Sequence, residues 1–170
     1  MEIGNSLEIG NWKLEINSVG VVCGPGTFTG VRTGVVIANT ISYALKIPLY
    51  ATDTLTAQVP AMITDVVSLL SASNNEVYFA RFKKEKRIGK IEIVDVVNNL
   101  PNRIEKRDLI VGDLQEKHCG IWGSNEFKNI TSKERINNLL QMILNNKIKP
   151  QKMVLPLYIK KPNITAKKKK

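Results

Sequence analysis

The stretch Val19-Gly20-Val21-Val22-Cys23, running into Gly24-Pro25-Gly26-Thr27-Phe28-Thr29-Gly30 and then into the apolar segment Val31 to Leu45, decides the fold. Small and β-branched residues without polar alternation, closed by Gly-Pro-Gly, predict a strand covered on both faces and ending in a tight turn. Gly24, Gly26 and Gly30 permit close approach of another group. Thr27 and Thr29 are placed to cap the helix that follows. The unit predicted is a βα corner with exposed amides.

The helix is unusual because no residue from Thr33 to Ala44 is charged. Val31, Val35, Ala38, Ile41 and Leu45 recur at helical spacing and form a face suited to cover a sheet. A second face of Thr33, Val36, Ile37, Thr40 and Ala44 is also small or apolar, so water is a poor neighbour on either side. Two readings follow: a helix enclosed in a core, or one whose second face serves a partner protein.

Around this corner the chain reads as a sequence of short elements. Trp12, Leu14 and Ile16 alternate with Lys13 and Glu15, which suits a small strand. Ile47-Pro48 ends the helix and Leu49-Tyr50-Ala51 starts a second strand, giving a right-handed βαβ crossover. Thr52-Asp53-Thr54 opens a helix with Leu55, Val59 and Met62 on one side, disturbed near Pro60. Val66 to Leu70, Glu76 to Phe82 and Ile88 to Val94 predict a three-strand meander with turns at Ser73-Asn74-Asn75 and at the basic segment after Phe82. Asp108 to Gly112 reads as a parallel-type strand, and Ile121-Trp122 as another. Thr131-Ser132-Lys133-Glu134 has capping-box form, and Ile136, Leu139, Leu140 and Ile143 pattern an amphipathic helix. The Lys-rich C-terminal segment offers no apolar face.

Composition bounds the function. The chain has 170 residues, 43% of them hydrophobic, which is ordinary for a globular protein of one large domain or two small lobes. Cys23 and Cys119 are too few for a disulfide framework, and no apolar run approaches the ~20 residues needed to span a bilayer. A reduced, cytoplasmic protein without a membrane role is expected. The formal charge of +10 is concentrated in two places. Lys83, Lys84, Lys86, Arg87 and Lys90 surround the single acid Glu85, and Lys160, Lys161 and Lys167 to Lys170 have no acid among them. Such clusters attract RNA without reading sequence, although each alone also fits a solvated turn or a frayed tail.

Cys-Gly-Pro-Gly-Thr-Phe-Thr-Gly-Val-Arg-Thr-Gly-Val at 23–35, followed by Ala38, Tyr43-Ala44-Leu45 and Ile47-Pro48-Leu49, resembles the TsaB family, bacterial subunits of the tRNA threonylcarbamoyladenosine machinery. That family shows GPGSFTG, a hydrophobic-Arg-hydrophobic-Gly continuation, a Tyr-Ala-Leu-like helix end and Ile-Pro-Leu. Glu76-Val77-Tyr78 and Leu155-Pro156-Leu157-Tyr158-Ile159-Lys160 resemble its Glu-Val-Tyr and PLYLR segments. Ser71-Ala72-Ser73 stands where relatives carry Asp-Ala-Arg, so an ion pair made by those charges is lost here. The resemblance implies an α/β, actin-like fold of two RNase H-like lobes. Residues 1–64 would form a first lobe with the glycine loop and central helix, 65–159 a second lobe, and 160–170 a disordered basic tail. Family members open with a strand hairpin and helix that have no counterpart before Val19. The first lobe is therefore expected to be truncated, with an open edge beside Val19 to Cys23 and self-association of the chain alone.

The function implied is that of a noncatalytic subunit. It would pair with TsaD as a heterodimer, be joined by the ATPase TsaE, and contact tRNA through the complex during threonylcarbamoylation of the adenosine next to the anticodon in tRNAs reading A-starting codons. Thr33, Val36, Ile37, Thr40 and Ala44 are the expected partner interface. Gly24, Gly26, Thr27, Gly30 and Arg32 are candidates for anion contact, since exposed amides at a helix start favour negative charge. The loop is not a Walker A sequence, Lys being absent from 24 to 45, so a structural corner is expected, with no cofactor and nucleotide only at a partner interface. His118 is the sole histidine, which leaves the metal-binding histidine pair of the catalytic relative without a counterpart and suggests a loop histidine. Two rivals remain. A small basic RNA-binding module acting without TsaD predicts steeply salt-dependent binding by the chain alone, and an enzyme acting on nucleotide through the glycine loop predicts turnover without any added subunit.

Overall fold

A computed structural model of the chain describes residues 6–9, 12–60, 65–118 and 125–160. The order is β1 (Ser6–Ile9), β2 (Trp12–Glu15), β3 (Val19–Val22), α1 (Phe28–Leu45), β4 (Leu49–Thr52), α2 (Thr54–Ala57), β5 (Asp65–Ser71), β6 (Glu76–Lys83), β7 (Lys86–Asp95), β8 (Leu109–Asp113), β9 (Phe127–Asn129) and α3 (Ser132–Leu144). The expectations for Met62, for Cys119, for Ile121-Trp122 and for the tail from Lys161 lie outside the described residues.

Three sheets result. β1 and β2 pair antiparallel as a hairpin of their own, and β3 pairs parallel with β4, the two joined by α1 as the βαβ reading required. Among the described strands β3 has no other partner. The main sheet runs β7-β6-β5-β8-β9, antiparallel across the meander and parallel from β5 to β9. This is the arrangement of an actin-like lobe.

Period-two patterning on β5 and β6 separates two apolar layers. Val66, Tyr78, Ala80, Phe82 and Val111 meet Leu55, Val59 and Ile130 on one face. Val67, Leu69, Val77, Phe79 and Ile110 meet Val94, Val96 and Leu100 on the other. Arg81 breaks that second stripe, and its guanidinium is satisfied at both ends. It donates to the two carboxylate oxygens of buried Asp108 at 2.7 and 2.9 Å and to the Arg103 carbonyl at 2.6 Å. A bidentate pair of this kind fixes the 103–108 loop against β6.

Gln58 is fully buried, and its Nε2 has no partner among the described residues. The Ser68 hydroxyl, its neighbour at 2.7 Å, also reaches the Leu55 carbonyl at 2.9 Å and has only one proton to give. Gln58→Met is therefore expected to be neutral or stabilising by up to about 1 kcal/mol, because it removes a half-satisfied amide while Ser68 keeps Leu55 as acceptor. A chemical-denaturation midpoint below the parent's at unchanged slope would contradict it.

The first lobe has a smaller core of Val21, Val35, Ala38, Leu49 and Val154. α1 covers one face of β3 and α3 approaches the other, but cover is incomplete: Gly20 is exposed and Val22 half-buried. The expectation of a strand enclosed on both faces is corrected to that extent, although the side chains of Leu139 and Ile143 lie close over Gly20. The division at residue 64 also does not separate the contacts. α3 packs on β3 and β4, and Gln151 pairs with Leu49 in an antiparallel bridge, so part of 65–159 lies on the first lobe.

Candidate functional site

The glycine loop is held from below by the start of α2. The Thr54 amide donates to the Gly24 carbonyl at 2.8 Å, and its hydroxyl donates to the Pro25 carbonyl at 2.6 Å. Asp53, the N-cap of α2, accepts from the Thr56 amide and hydroxyl and pairs with Arg87 at 2.6 Å. Arg87 of the basic turn is thus committed to this corner. Gly24 lies at φ +110°, and a Cβ there would stand 2.7 Å from the Leu157 carbonyl oxygen, so both conformation and space require glycine. Thr27 is the N-cap of α1 with extended backbone, but its side chain makes no capping bond, and Thr29 lies inside the helix. That corrects the capping expectation: the Thr27 hydroxyl is close to Gly30, 2.7 Å from where a Cβ would sit.

Gly26, Thr27 and Gly30 open on a cleft of about 530 Å³ whose far wall carries Asp113 and Arg135. Those two form an ion pair at 3.0 Å across β8 and α3. Arg32, grouped with the loop glycines from sequence, does not line this cleft, because one turn of helix carries it to the exposed surface. Arg135 takes its place, and only the docking of α3 could reveal that. Cys23 is half-buried, with its thiol donating to the Thr52 carbonyl at 3.3 Å. Burial, and then the charge of Asp53, push its pKa up, which suits a structural thiol rather than a nucleophile.

α1 presents its two faces unequally. Val35 and Ala38 are buried, and Val31 and Leu45 are partly so. Ile41, expected on the sheet side, is 37% exposed. Ser42 turns inward instead and donates to the Ile47 carbonyl at 2.7 Å, closing the helix end. Thr33, Val36, Ile37, Thr40 and Ala44 are all exposed, Ile37 to 52%. The stripe is thus uncharged and open to solvent.

The feature that sequence reasoning missed is a strap formed by residues 151–160. The Gln151 amide donates to the Leu49 carbonyl at 2.8 Å, and the Leu157 amide donates to the Cys23 carbonyl at 2.7 Å. Between them Asn39 treats the strap as a strand. Its Nδ2 donates to the Val154 carbonyl at 2.9 Å and its Oδ1 accepts the Val154 amide at 3.0 Å. Lys160 ends the strap against Glu76 at 2.5 Å, so this residue of the expected tail is ordered and paired. The similarity of 155–160 to PLYLR was the one signal for it.

Around Glu76 the Ser71-Ala72-Ser73 departure is locally repaired. The Ser73 hydroxyl donates to the Glu76 carboxylate at 2.8 Å, and Lys160 supplies the cation. Ser71 Oγ lies 3.0 Å from His118 Nδ1, and Nε2 of that ring lies 2.8 Å from the Asn74 carbonyl. A carbonyl only accepts, so Nε2 carries a proton and donates. His118 is buried and bonded at both nitrogens on the 3-10 turn Glu116–His118, which corrects the reading of a loop histidine.

The Lys160 and Ser73 bonds hold the Glu76 carboxyl below the usual carboxylate range. A depressed folded pKa stabilises above the unfolded value and loses that contribution as pH falls through the folded value. The strap is therefore expected to loosen in acid, below the ordinary glutamate range. The pair is a third exposed, so the effect is small, within about 1 kcal/mol. Lys160→Met should flatten the acid limb of a plot of Tm against pH. An unchanged limb would remove Glu76–Lys160 as its cause.

Comparison with known proteins fits this geometry. Residues 3–112 match the family model described as TsaD, tRNA N6-adenosine threonylcarbamoyltransferase. An uncharacterized protein of Mycobacterium leprae is 38% identical over 75 residues, covering 44% of this chain and 21% of that protein. The tRNA threonylcarbamoyladenosine biosynthesis protein TsaB of Haemophilus influenzae is 35% identical over 86 residues, covering 46% and 36%. TsaB of Escherichia coli is 30% identical over 77 residues, covering 42% and 33%. The matched stretches thus span about a fifth to a third of these relatives. YeaZ from Pseudomonas aeruginosa superimposes with a TM-score of 0.62 over 85% of this chain and 75% of its own, at 15% identity, which supports the actin-like fold. With well over half of its length inside the matched region, the chain belongs to the TsaD family, tRNA N6-adenosine threonylcarbamoyltransferase, and is TsaB-like.

Proposed function

We propose that this chain is a noncatalytic subunit for tRNA threonylcarbamoyladenosine formation. It pairs in the cytoplasm with a TsaD-like catalytic subunit, is joined by a TsaE-like ATPase, and supports threonylcarbamoylation of the adenosine next to the anticodon in tRNAs reading A-starting codons. The observation that carries this reading is the uncharged, exposed stripe of Thr33, Val36, Ile37, Thr40 and Ala44 on a helix whose opposite face is already packed. The names of the Haemophilus and Escherichia relatives supply the reaction. The small residues at 33, 40 and 44 allow a partner helix to approach closely, and no charge has to be desolvated along the contact.

Two observations support a supporting rather than catalytic role. The sole histidine, His118, is buried and bonded at both ring nitrogens. The cleft below the glycine loop has its one lining acid, Asp113, paired with Arg135. No cofactor is assigned to the chain itself, and nucleotide would belong to the interface with the partner. The rival built on the basic turn is weakened because Arg87, one of its cations, is tied to Asp53.

The test is co-expression of the chain with a TsaD-like subunit from the same cell, followed by size-exclusion chromatography. Co-elution that survives 0.5 M salt is expected of an apolar contact, since screening at that ionic strength removes exposed charge pairing. Separate elution of two folded proteins at micromolar concentration would overturn the proposal.

A further inference from the structure

Phe28, the first residue of α1, stacks on Tyr158 of the strap, with ring centroids 5.1 Å apart and planes 23° from parallel. Stacked aromatic pairs usually close a core, yet these residues are 52% and 45% exposed. Arg32 stands one helical turn beyond Phe28, exposed and without an ion pair among the described residues. Residues four apart share one side of a helix, so Arg32 lies on the side of α1 that carries Phe28. Beside the rings a hollow of about 250 Å³ is bounded by Pro25, Gly26, Ala72 and Ser73.

Charge decides what fits here. An apolar protein surface laid on the two rings would strip water from Arg32 and give it no counter-ion, which is costly. A single-stranded nucleic acid offers a base face for the rings and a phosphate for the guanidinium at the spacing of one nucleotide. The row of Phe28 and Arg32 continues into Val36 and Thr40, so the platform borders the partner stripe.

We propose that Phe28, Tyr158 and Arg32 form a stacking platform for single-stranded RNA. This rests on the function proposed above only for the identity of the natural RNA. Binding itself is a property of the chain alone.

The experiment is fluorescence anisotropy of a labelled 12-nucleotide polyadenylate titrated with the full chain, against a 12-base-pair RNA duplex, whose charge density is higher. The single strand is expected to bind more tightly than the duplex. Tyr158→Ala should weaken it about tenfold and Tyr158→Phe less than twofold, because the ring face is what the base uses. Arg32→Gln, on an exposed helix surface where folding is not at stake, should lower the slope of log K against log salt by about 0.7. Equal affinity for strand and duplex, or Tyr158→Ala and Arg32→Gln chains that bind as the parent does, would overturn the platform. So would a Tyr158→Ala chain that keeps RNA but no longer co-elutes with the TsaD-like subunit, since the rings would then be a protein contact. A failure of the parent chain to pair with that subunit while these RNA results hold would count against the proposed function alone.

Discussion

Gly112→Ala is expected to cost about 3 kcal/mol or more and to lower Tm by roughly 6–12 °C. Gly112 lies in β8 opposite Leu69 of β5, in the middle of the five-stranded sheet. A Cβ added there would stand 2.3 Å from the Leu69 carbonyl oxygen and 3.1 Å from its carbonyl carbon. Those are backbone atoms of the central strand, so relief means parting β5 from β8. The Gly112 carbonyl also accepts the Ile130 amide at 2.8 Å, which ties the same point to the start of α3. Gly34→Ala is the internal control. Nothing lies within 4 Å of the added methyl, and alanine in a helix interior is favoured over glycine, so it should stabilise by about 0.5–1 kcal/mol. Thermal melts of the three chains check both signs. A Gly112→Ala chain melting with the parent would mean that the β5–β8 pairing is not as close as the register requires.

Ile37→Glu is expected to abolish co-elution with the TsaD-like subunit while leaving the isolated chain folded. Ile37 is the apolar centre of the exposed stripe, and a carboxylate buried there against an apolar partner finds no counter-charge along α1 from Thr33 to Ala44. Loss of at least about 2 kcal/mol, some thirtyfold in affinity, follows for a central position. In the free chain the same side chain points to water, and glutamate is at least as good a helix former as isoleucine, so Tm should stay within about 2 °C. Thr40→Arg tests the same face one turn on, giving up only the bond from its hydroxyl to the Val36 carbonyl. Undiminished co-elution of both variants would remove this face from the contact. The two outcomes separate folding from association, because Gly112 touches the main sheet and Ile37 touches none of it.

Much of this was legible from local signals. Val19 to Val22, the Gly-Pro-Gly turn and the uncharged helix read directly as the βα corner, and Pro48 marked the return strand. The capping box at Thr131 and Glu134 is present with both reciprocal bonds, since it needs only residues three apart. The meander emerged because β5, β6 and β7 follow one another through short polar turns. Such elements depend on neighbours in the chain, where propensity and periodicity act.

Contacts between distant residues were a different matter. The helix had two apolar faces, and hydrophobic period alone does not say which is buried. That choice was made by β3, β4 and Val154, which cover Val35 and Ala38 and leave Ile37 in water. Asn39 looks like an ordinary polar residue in a helix, yet it binds a segment 115 residues away through both ends of its amide. Arg135, Asp113 and the buried ring of His118 likewise acquire their partners only when α3 and the 3-10 turn dock. The sequence by itself determined the corner, the meander and the family resemblance. Tertiary structure decided which surface stays open and which cation faces which cleft, because burial and charge pairing depend on elements brought together from far apart in the chain.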